Sequence, residues 1–520
     1  MSKFLKGTMI LLIAGLITRV LGFINRIVIA RFIGEEGVGL YMMAFPTFIL
    51  VITITQFGLP VAISKNVAEA EAAGDTAKTK KILIVALVFT IILSAVFTPA
   101  LLIFAPYLSK TLFTDARTLF PLLAIAPVVP IIAVSSVLRG YFQGRQQMKP
   151  AAYSQMIEQV IRITLIAALT KAFLPYGVEY AAAGAMLATV FGELISLLYL
   201  LASFKLKKKF RFRKKFFSYI QSGKTTFKEL MSISLPTMGS RMIGSASWFL
   251  EPIVVARSLA LAGIAATEAT KQYGALTGYA LPLLMLPSFI TLSLSTALVP
   301  AISEAQAKGQ KRLIEYRLQQ SLRYSLITGG LAVVLLFVLS DSLMLVMYHS
   351  ESGASFIKFM APLFLFYYYQ GPLLAALQAL NLARAAMINS FIGNAVKIAV
   401  IFALASRPQF GINGVAIGML ASFVLVTFLH FATVLKTIPF TFYFREYANV
   451  FLAIIVSGCA GSFLFYNMKE QFSLLLIVLV VTILITIVYC ALILVFRLVH
   501  QEELQRIPFV GKILTRLIYL

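Results

Sequence analysis

The sequence contains about 14 apolar stretches of 20 or more residues, and this feature constrains the fold most strongly. A helix of about 20 residues spans the hydrocarbon core of a bilayer, so each stretch is a candidate membrane helix. Hydrophobic residues make up 60% of the 520-residue chain, and charged residues only 12%. Soluble domains carry about twice that share of charged residues. The sequence therefore predicts an all-α polytopic membrane protein with about 14 transmembrane helices.

Helix boundaries follow from the points where the apolar stretches begin and end. The predicted spans are 8–30, 38–62, 82–105, 118–140, 150–172, 180–203, 229–257, 275–300, 321–345, 356–381, 386–406, 412–436, 446–466 and 472–497. The segments between them then alternate between the two sides of the membrane.

Lysine and arginine are distributed unequally between those two sides. About 31 of the 45 basic residues fall on the side that holds both termini, and about nine fall on the other. Basic loops stay in the cytoplasm, so both termini of this cell-membrane protein are predicted to be cytoplasmic. Segment 204–228 is basic with interleaved aromatic residues, and we expect it to lie against anionic lipids of the inner leaflet. Because the basic residues cluster at helix ends, the net charge of +25 indicates membrane topology rather than nucleic-acid binding.

The chain also repeats itself, with three pairs of similar segments at offsets of roughly 230 residues. Segment 27–31 resembles 253–257, 148–163 resembles 383–398, and 183–188 resembles 417–421. Six predicted helices separate the copies, so both copies have the same orientation, which indicates a parallel repeat about an axis along the membrane normal. The predicted domains are an N-lobe at 1–203, a cytoplasmic linker at 204–228, a C-lobe at 229–436, and a helix pair with a cytoplasmic tail at 437–520.

Two amphipathic segments, 65–81 and 303–320, occupy matching places in the two copies. Each is either a helix along the cytoplasmic interface or a solvated helical connector. The sequence leaves both interpretations open.

Five basic residues fall inside the predicted spans: Arg19, Arg26, Arg162, Arg241 and Lys397. A buried arginine costs about 2.5–3.5 kcal/mol on insertion scales, so an unpaired group of them is typical of a water-filled cavity that binds an anion. Arg19 and Arg26 are seven residues apart and share a helix face, and Arg241 lies in the pseudo-equivalent seventh helix. Since guanidinium groups match phosphate oxygens, we predict that these three bind an anionic substrate between the lobes. Arg26 has an alternative, because its side chain is able to reach the interface.

Acidic residues in the predicted spans distinguish the two remaining cations, Arg162 and Lys397. Glu158 and Arg162 are spaced i, i+4, which predicts an ion pair within one helix. Lys397 is the counterpart of Arg162 but has a glycine where that pair has its acid, so we predict it as a further substrate-binding cation. Glu251 and Glu193 either pair with arginines or bind a coupling proton or sodium ion, and Glu251 is the stronger candidate.

The sequence contains only weak matches to catalytic or cofactor-binding motifs. Ser222-Gly223-Lys224-Thr225 resembles the end of a phosphate-binding loop, but Ser218 stands where that loop requires glycine and no strand precedes it. The two cysteines and three histidines are dispersed and follow no metal-ligand spacing. The sequence predicts a transporter rather than an enzyme, without a cofactor or metal, coupled to the membrane potential or to a Na⁺ or H⁺ gradient.

Three segments carry a resemblance to a known family. ITRVLGFINRIVIARFIGEEGVGLY at 17–41, FGLPVAISKNVAE at 57–69 and RGYFQGRQQMKPAAYSQMIEQVIRI at 139–163 are similar to the polysaccharide-exporter branch of the multidrug/oligosaccharidyl-lipid/polysaccharide flippase superfamily. The third is the most specific. Within that branch, the whole chain resembles the stage V sporulation group of spore-forming bacteria.

The resemblance implies a V-shaped, two-lobed fold of twelve helices with two more at the C-terminus. It also implies alternating access and export of an undecaprenyl-diphosphate-linked sugar, here a peptidoglycan precursor for the spore cortex. Related lipid II flippases place cavity arginines on the first helix and in the C-terminal lobe, where Arg19, Arg26 and Arg241 lie. Their last two helices form a groove for the lipid tail, which implies the same use of 446–466 and 472–497.

Other functions remain open at this point. The nearest alternative is a flippase for another lipid-linked polysaccharide. A multidrug–ion antiporter and a scaffold that recruits cell-wall synthesis proteins are two further classes. Buried arginines disfavour both, since a cationic drug would be repelled and a scaffold needs no buried cation.

Overall fold

A computed structural model describes residues 3–207, 219, 221–469 and 471–499. The protein is an all-α polytopic membrane protein, and the described residues form helices and no strands. Ten helical segments in this part of the chain are long and apolar enough to cross a membrane. The first of them, Ile13–Ala72, contains two of the predicted spans, so the count of fourteen stays a prediction.

The helices form two compact units. The first unit runs to Tyr279 and includes Ile398–Val415, and the second contains Ala280–Lys397 and continues from Ala416. The helices before Tyr279 are α1 (Lys3–Gln56), α2 (Leu59–Ala72), α3 (Thr76–Tyr107), α4 (Leu119–Ile125), α5 (Val128–Gly144), α6 (Met148–Phe173), α7 (Val178–Lys207), α8 (Lys224–Leu261) and α9 (Ala266–Gly274). The later helices are α10 (Leu281–Met285), α11 (Ser288–Ala307), α12 (Lys311–Val338), α13 (Ser340–Tyr348), α14 (Ala354–Ala379), α15 (Ala383–Ala405), α16 (Gly411–Leu435), α17 (Phe444–Met468) and α18 (Leu474–Val495).

The predicted loop between spans 8–30 and 38–62 is wrong. Helical geometry continues through α1 and is interrupted only at Gly34, which has φ 66° and ψ −177°. Residues other than glycine rarely adopt that conformation, so one glycine changes the direction of the chain without a loop. The second predicted span also ends early, because Phe57 and Gly58 both have positive φ and α2 begins at Leu59.

The end of the predicted span 118–140 is also wrong, because the helix runs four residues further. α5 continues to Gly144, so Arg139 lies inside a helix. Gly140 and Gly144 allow this continuation to pack tightly, since a Cβ at either position would lie 2.8 or 2.6 Å from a backbone carbonyl of α2. The basic residue therefore marks a helix interior rather than a loop.

Two turns recur at one spacing along the chain. Gly74 has φ 70° and Gly309 has φ 67°, and each ends a helix with the same set of backbone hydrogen bonds. Gln146 and Asn381 form a second matching pair, with φ 55° and 62°. In each pair the left-handed residue caps the preceding helix in the manner of a Schellman turn. Both pairs share the offset that relates Lys149 to Arg384, so the repeat seen in the sequence extends to local backbone geometry.

The amphipathic segments 65–81 and 303–320 contain the first pair of turns, at Gly74 and Gly309. Residues 65–72 belong to α2, whose Asn66, Val67 and Ala70 are buried, and 303–307 belong to α11. Each segment is therefore two helix ends joined by a tight turn. In the predicted linker 204–228, residues 204–207 belong to α7 and 224–228 belong to α8, while 208–218 and 220 lie outside the described residues, as does the predicted cytoplasmic tail from residue 500. The lobe boundaries and their superposition stay predictions.

A seam of glycines joins α1 to α9 within the first unit. A Cβ at Gly39 would lie 2.0 Å from the Thr270 carbonyl oxygen, and a Cβ at Gly274 would lie 2.1 Å from the Glu35 carbonyl oxygen. A Cβ at Gly278, one turn further on, would lie 1.9 Å from Val38 Cγ1. Gly274 and Gly278 have the GxxxG spacing that lets membrane helices approach backbone to backbone.

A cluster of ion pairs around the buried Asp115 lies at one end of this seam. The Arg117 guanidinium contacts Glu36 at 2.6 Å and Asp115 at 2.9 Å, and Thr270 donates a hydrogen bond to Asp115 at 2.9 Å. Burial alone would raise the pKa of Asp115, but the hydrogen bonds from Arg117 and Thr270 outweigh it and lower that pKa below 3.8. The ionised carboxylate thus links α1, the segment before α4, and α9.

This shift predicts a pH-dependent stability. The pKa of Asp115 is lower in the folded protein than in the unfolded chain, where it is near 3.8, so the ionised carboxylate stabilises the fold above pH 3.8. This stabilisation is lost as the pH falls through the lower pKa of the folded state. Asp115→Asn should therefore lower the melting temperature of purified protein at neutral pH, and its difference from the wild type should shrink below pH 3.8. Asp341→Asn, which breaks the exposed pair with Lys358, is the control and should change little. A difference for Asp115→Asn that persists unchanged in acid would contradict this role.

Candidate functional site

Arg19 and Arg26 lie on the part of α1 that precedes the Gly34 kink. Helical geometry is unbroken between them, so their seven-residue spacing places them on one face. Arg19 is exposed and Arg26 is half-buried. Among the described residues, Arg19 has no carboxylate within 4.0 Å, the ion-pair distance. α1 is thus an apolar helix that presents a guanidinium without a matching acid.

Arg241 lies on α8, between Pro236 and Pro252. Its side chain is exposed, and it too has no ion-pair partner among the residues that the structure describes. One turn further along α8, Ser245 Oγ lies 2.8 Å from Thr53 Oγ1 of α1. Arg241 is therefore positioned one helical turn from the contact between α8 and the second part of α1.

Tyr41 connects Arg26 to another predicted cation. Its side chain is buried in α1, and both Arg26 and Arg162 lie near enough to act electrostatically on its hydroxyl group. Arg162 itself lies on α6, which packs against α1 and α7. Within the first unit the structure thus brings Arg26 and Arg162 to one buried tyrosine.

The ion pair predicted between Glu158 and Arg162 is confirmed. Arg162 Nη1 lies 3.5 Å from Glu158 Oε1 across one turn of α6. Sequence reasoning missed that Arg139 joins this pair. Arg139 Nη2 lies 3.5 Å from Glu158 Oε2 and 3.2 Å from Glu193 Oε2 of α7. The result is a buried network of two guanidiniums and two carboxylates on α5, α6 and α7.

The surplus of acid was the available signal for Arg139. Glu158 and Glu193 lie in apolar spans, and Arg162 neutralises only one of them. Buried charges are paired or hydrogen-bonded, so the second acid required a second cation. Arg145 and Lys149 are closer to Glu158 in sequence than Arg139 is, so the sequence did not single out Arg139 as the partner.

Lys397 lies on α15 at the edge of the second unit and is half-buried with contacts of its own. One turn before it, a Cβ on Gly393 would lie 2.1 Å from Val426 Cγ2. The close packing of α15 on α16 therefore leaves no space for an acid at the position that matches Glu158. This explains the missing acid, while the role of Lys397 in substrate binding stays a prediction.

Glu251 is buried in α8, and the Tyr273 hydroxyl donates to its Oε1 at 3.5 Å. Tyr273 lies on α9, so this contact joins the two helices that surround the loop at 262–265. A buried acid with a tyrosine partner is as well suited to holding two helices together as to binding an ion. Its assignment to a coupling ion stays a prediction.

Comparison with known proteins places the chain among membrane transporters. The sequence pattern described as "Polysaccharide biosynthesis protein" matches residues 4–306, and a second pattern, MatE, matches 270–403. Stage V sporulation protein B of Bacillus subtilis (strain 168) is 59% identical over 519 residues, which cover 99% of each chain.

The chain belongs to the polysaccharide biosynthesis protein family. Lipid II flippase MurJ of Bacillus subtilis (strain 168) is 25% identical over 459 residues, which cover 81% of each chain. A solved structure of a Lipid II flippase MurJ in an inward closed conformation matches with a TM-score of 0.68 and 16% identity. The match covers 92% of this chain and 97% of that one, and it confirms the multi-helix transporter fold expected from the resemblance.

Proposed function

We propose that this family member is a flippase that moves an undecaprenyl-diphosphate-linked cell-wall precursor from the inner to the outer leaflet by alternating access. The observation that carries the proposal is the pair of arginines, Arg19 and Arg241, that lack acidic partners among the described residues of α1 and α8. The cost of inserting such cations is offset when they bind an anion in a wet cavity. A diphosphate supplies the bidentate oxygens that guanidinium groups bind best.

The names of the relatives support the choice of substrate. One relative is a stage V sporulation protein and another is a lipid II flippase, so a peptidoglycan precursor for the spore cortex is the substrate that we propose. The arginines would hold the diphosphate, and the sugar would occupy the aqueous space beside them. The chain's own residues bind and reorient the substrate without breaking a bond, so no catalytic group is required.

The lipid tail requires an apolar path along the same protein. α17 and α18 pack against each other and expose a run of large apolar side chains: Phe451, Ile455, Phe463, Leu475, Leu479, Ile483 and Ile487. Apolar side chains facing lipid cost nothing in a membrane, so this surface by itself is ordinary. Its position on the last two helices agrees with the groove that the family resemblance implies.

Transport should respond to the membrane potential and not to ATP. The diphosphate carries about two negative charges, and export from a negative interior is favoured by about 2.3 kcal/mol per uncompensated charge per 100 mV. The experiment uses proteoliposomes that contain the lipid-linked precursor and a potassium–valinomycin potential of either polarity. We expect faster flipping when the substrate's starting side is negative. Equal rates under both polarities, with stimulation by internal ATP, would eliminate this mechanism.

A further inference from the structure

α3 and α8 begin side by side within the first unit. Lys78 Nζ, in the first turn of α3, lies 3.6 Å from Glu229 Oε2 near the start of α8. Phe89 of α3 packs edge-on against Phe227 of α8, with the two ring centroids 5.3 Å apart. Because both helices begin at this end, their first turns lie at one boundary of the predicted membrane spans.

An apolar groove runs between these two helix ends. It has a volume of about 300 Å³, at the lower end of the range typical of ligand sites. It is lined by Val85, Val88, Phe89 and Ile92 of α3 and by Lys224 and Phe227 of α8. The four α3 residues recur at helical spacing, so they form a strip about 10 Å long. We call this feature the α3–α8 groove.

Lysines surround the end of the groove at which the helices begin. Segments 75–81 and 223–229 together carry five lysines and two acids. Glu229 pairs with Lys78. Within the part of the chain that the structure describes, three of the other lysines have no carboxylate within the ion-pair distance of 4.0 Å: Lys81, Lys224 and Lys228. The α3–α8 groove is therefore apolar along its length and positively charged at one end.

The motif that resembles a phosphate-binding loop lies at this charged end. Gly223 and Lys224, its two central residues, both line the groove. The motif lacks the first glycine of a nucleotide-binding loop, since Ser218 stands there. A lysine at the mouth of an apolar groove instead provides a point charge for a phosphate group that is attached to an apolar chain.

The second copy of the repeat shows what covers this helix face elsewhere. At the offset of the matching turns, α12 corresponds to α3, and Ile327 corresponds to Ile92. The Tyr489 hydroxyl of α18 donates to the Ile327 backbone oxygen at 2.9 Å, and one turn earlier Arg323 pairs with Glu446 of α17 at 3.7 Å. The final helix pair thus covers this face of α12. Ile92 is 56% exposed in the described part of the chain, so the matching face of α3 is left open to an apolar ligand.

We propose that the α3–α8 groove binds an anionic diacyl phospholipid, with its phosphate beside Lys224 and an acyl chain along the strip on α3. The lysines lie outside the predicted spans 82–105 and 229–257, and the strip lies inside the first of them, which matches the head and the tail of a lipid. Basic pockets between membrane helices bind anionic headgroups on the cytoplasmic side, and the basic-loop rule predicts that these helix ends lie there.

The chemistry favours a membrane phospholipid over the transported substrate. Lysine acts as a point charge that suits a single phosphate, whereas a diphosphate is better matched by guanidinium groups such as those of Arg19 and Arg241. The bound lipid would hold the first turns of α3 and α8 together. Lipid binding does not depend on the proposed flippase function, and its test requires no transport.

The test measures lipid retention by the purified full-length protein. The protein is equilibrated in mixed micelles with equal amounts of phosphatidylglycerol and phosphatidylcholine that carry the same acyl chains, and native mass spectrometry identifies the retained lipid. We expect preferential retention of phosphatidylglycerol, and Lys224→Glu should weaken it roughly tenfold by reversing a charge beside the headgroup. Lys311→Glu is the matched control, because it reverses the charge of an exposed lysine that begins α12 and does not line the groove.

Equal loss of lipid in the Lys224 and Lys311 variants, or no loss in either, would overturn the site, since only general attraction to a basic surface would remain. Equal retention of phosphatidylcholine would refute recognition of the headgroup. Val88→Trp tests the acyl-chain position separately, because the larger side chain should fill the groove and release the lipid while every lysine remains. Unchanged retention in Val88→Trp would contradict that position.

Competition distinguishes the phospholipid from other phosphate compounds, and it uses the wild type, so it does not depend on how well a variant folds. Neither inorganic phosphate nor undecaprenyl diphosphate, each at the concentration of the phospholipid, should displace it. Displacement by inorganic phosphate would indicate a phosphate site without a lipid. Displacement by undecaprenyl diphosphate would assign the groove to the substrate. Either result would overturn the proposal.

Discussion

Replacing Arg19, Arg26 or Arg241 singly with alanine should slow cell-wall precursor flipping enough to abolish function in cells, without changing the abundance of the protein. Each guanidinium is expected to contribute charged hydrogen bonds to the diphosphate, and each such bond is worth about 1.5–3 kcal/mol. Loss of one guanidinium should therefore reduce transport by roughly 10- to 100-fold. The measurement is flipping in proteoliposomes together with complementation of a strain that lacks the gene, with immunoblots for abundance.

Arg162→Ala is the matched control for these variants. Arg162 also lies within a predicted membrane span, but Glu158 lies 3.5 Å away and neutralises it in part. We expect a milder loss of transport or a loss of abundance, because removal of this cation leaves a buried acid underpaired. Normal transport by the alanine variants of Arg19, Arg26 and Arg241 would show that these arginines do not line the substrate cavity.

Replacing Gly39 with leucine should prevent the protein from accumulating. A Cβ at this position would lie 2.0 Å from the backbone oxygen of Thr270, which cannot move away as a flexible side chain can. Overpacking in a tight core costs about 1–3 kcal/mol, and separation of α1 from α9 would also break the Thr270–Asp115 hydrogen bond. Membrane abundance and the melting temperature of the purified protein measure this effect.

Gly22→Leu provides the comparison on the same helix. A Cβ at Gly22 would have no atom within 4 Å, so the larger side chain should be accepted and helix propensity should improve slightly. Equal abundance of the Gly39 and Gly22 variants would mean that the glycine seam is not needed for the fold.

The sequence was sufficient for the fold class and for the paired state of Arg162. Apolar length predicts membrane helices directly, because the bilayer leaves few other structures that satisfy the backbone. The i, i+4 spacing of Glu158 and Arg162 is a local property, and the structure confirms their contact. Helix continuity was less predictable, since the kink in α1 depends on the backbone of a single residue, Gly34.

The partners of Arg139 and the glycine seam depend on contacts between distant parts of the chain. Arg139 meets Glu193, which follows it by 54 residues, and Gly39 meets Thr270 from another helix pair. No local pattern specifies such contacts. A glycine in an apolar stretch is equally compatible with a tight helix contact and with a position that faces lipid. Charge balance was the one accessible clue, and it applied only to Arg139.

The recurring turns at Gly74 and Gly309, and at Gln146 and Asn381, also bear on how this chain came to work. When a gene segment is duplicated and fused, the second copy is free to drift while the first keeps the original task. Here the connecting turns have kept their shape, and the interior around Arg139 has not kept its chemistry. An ancestor made of two identical halves would have had two such charged interiors or none. The two halves of the present chain thus share the shape of their turns but differ in their buried charges, and we expect that neither half could replace the other.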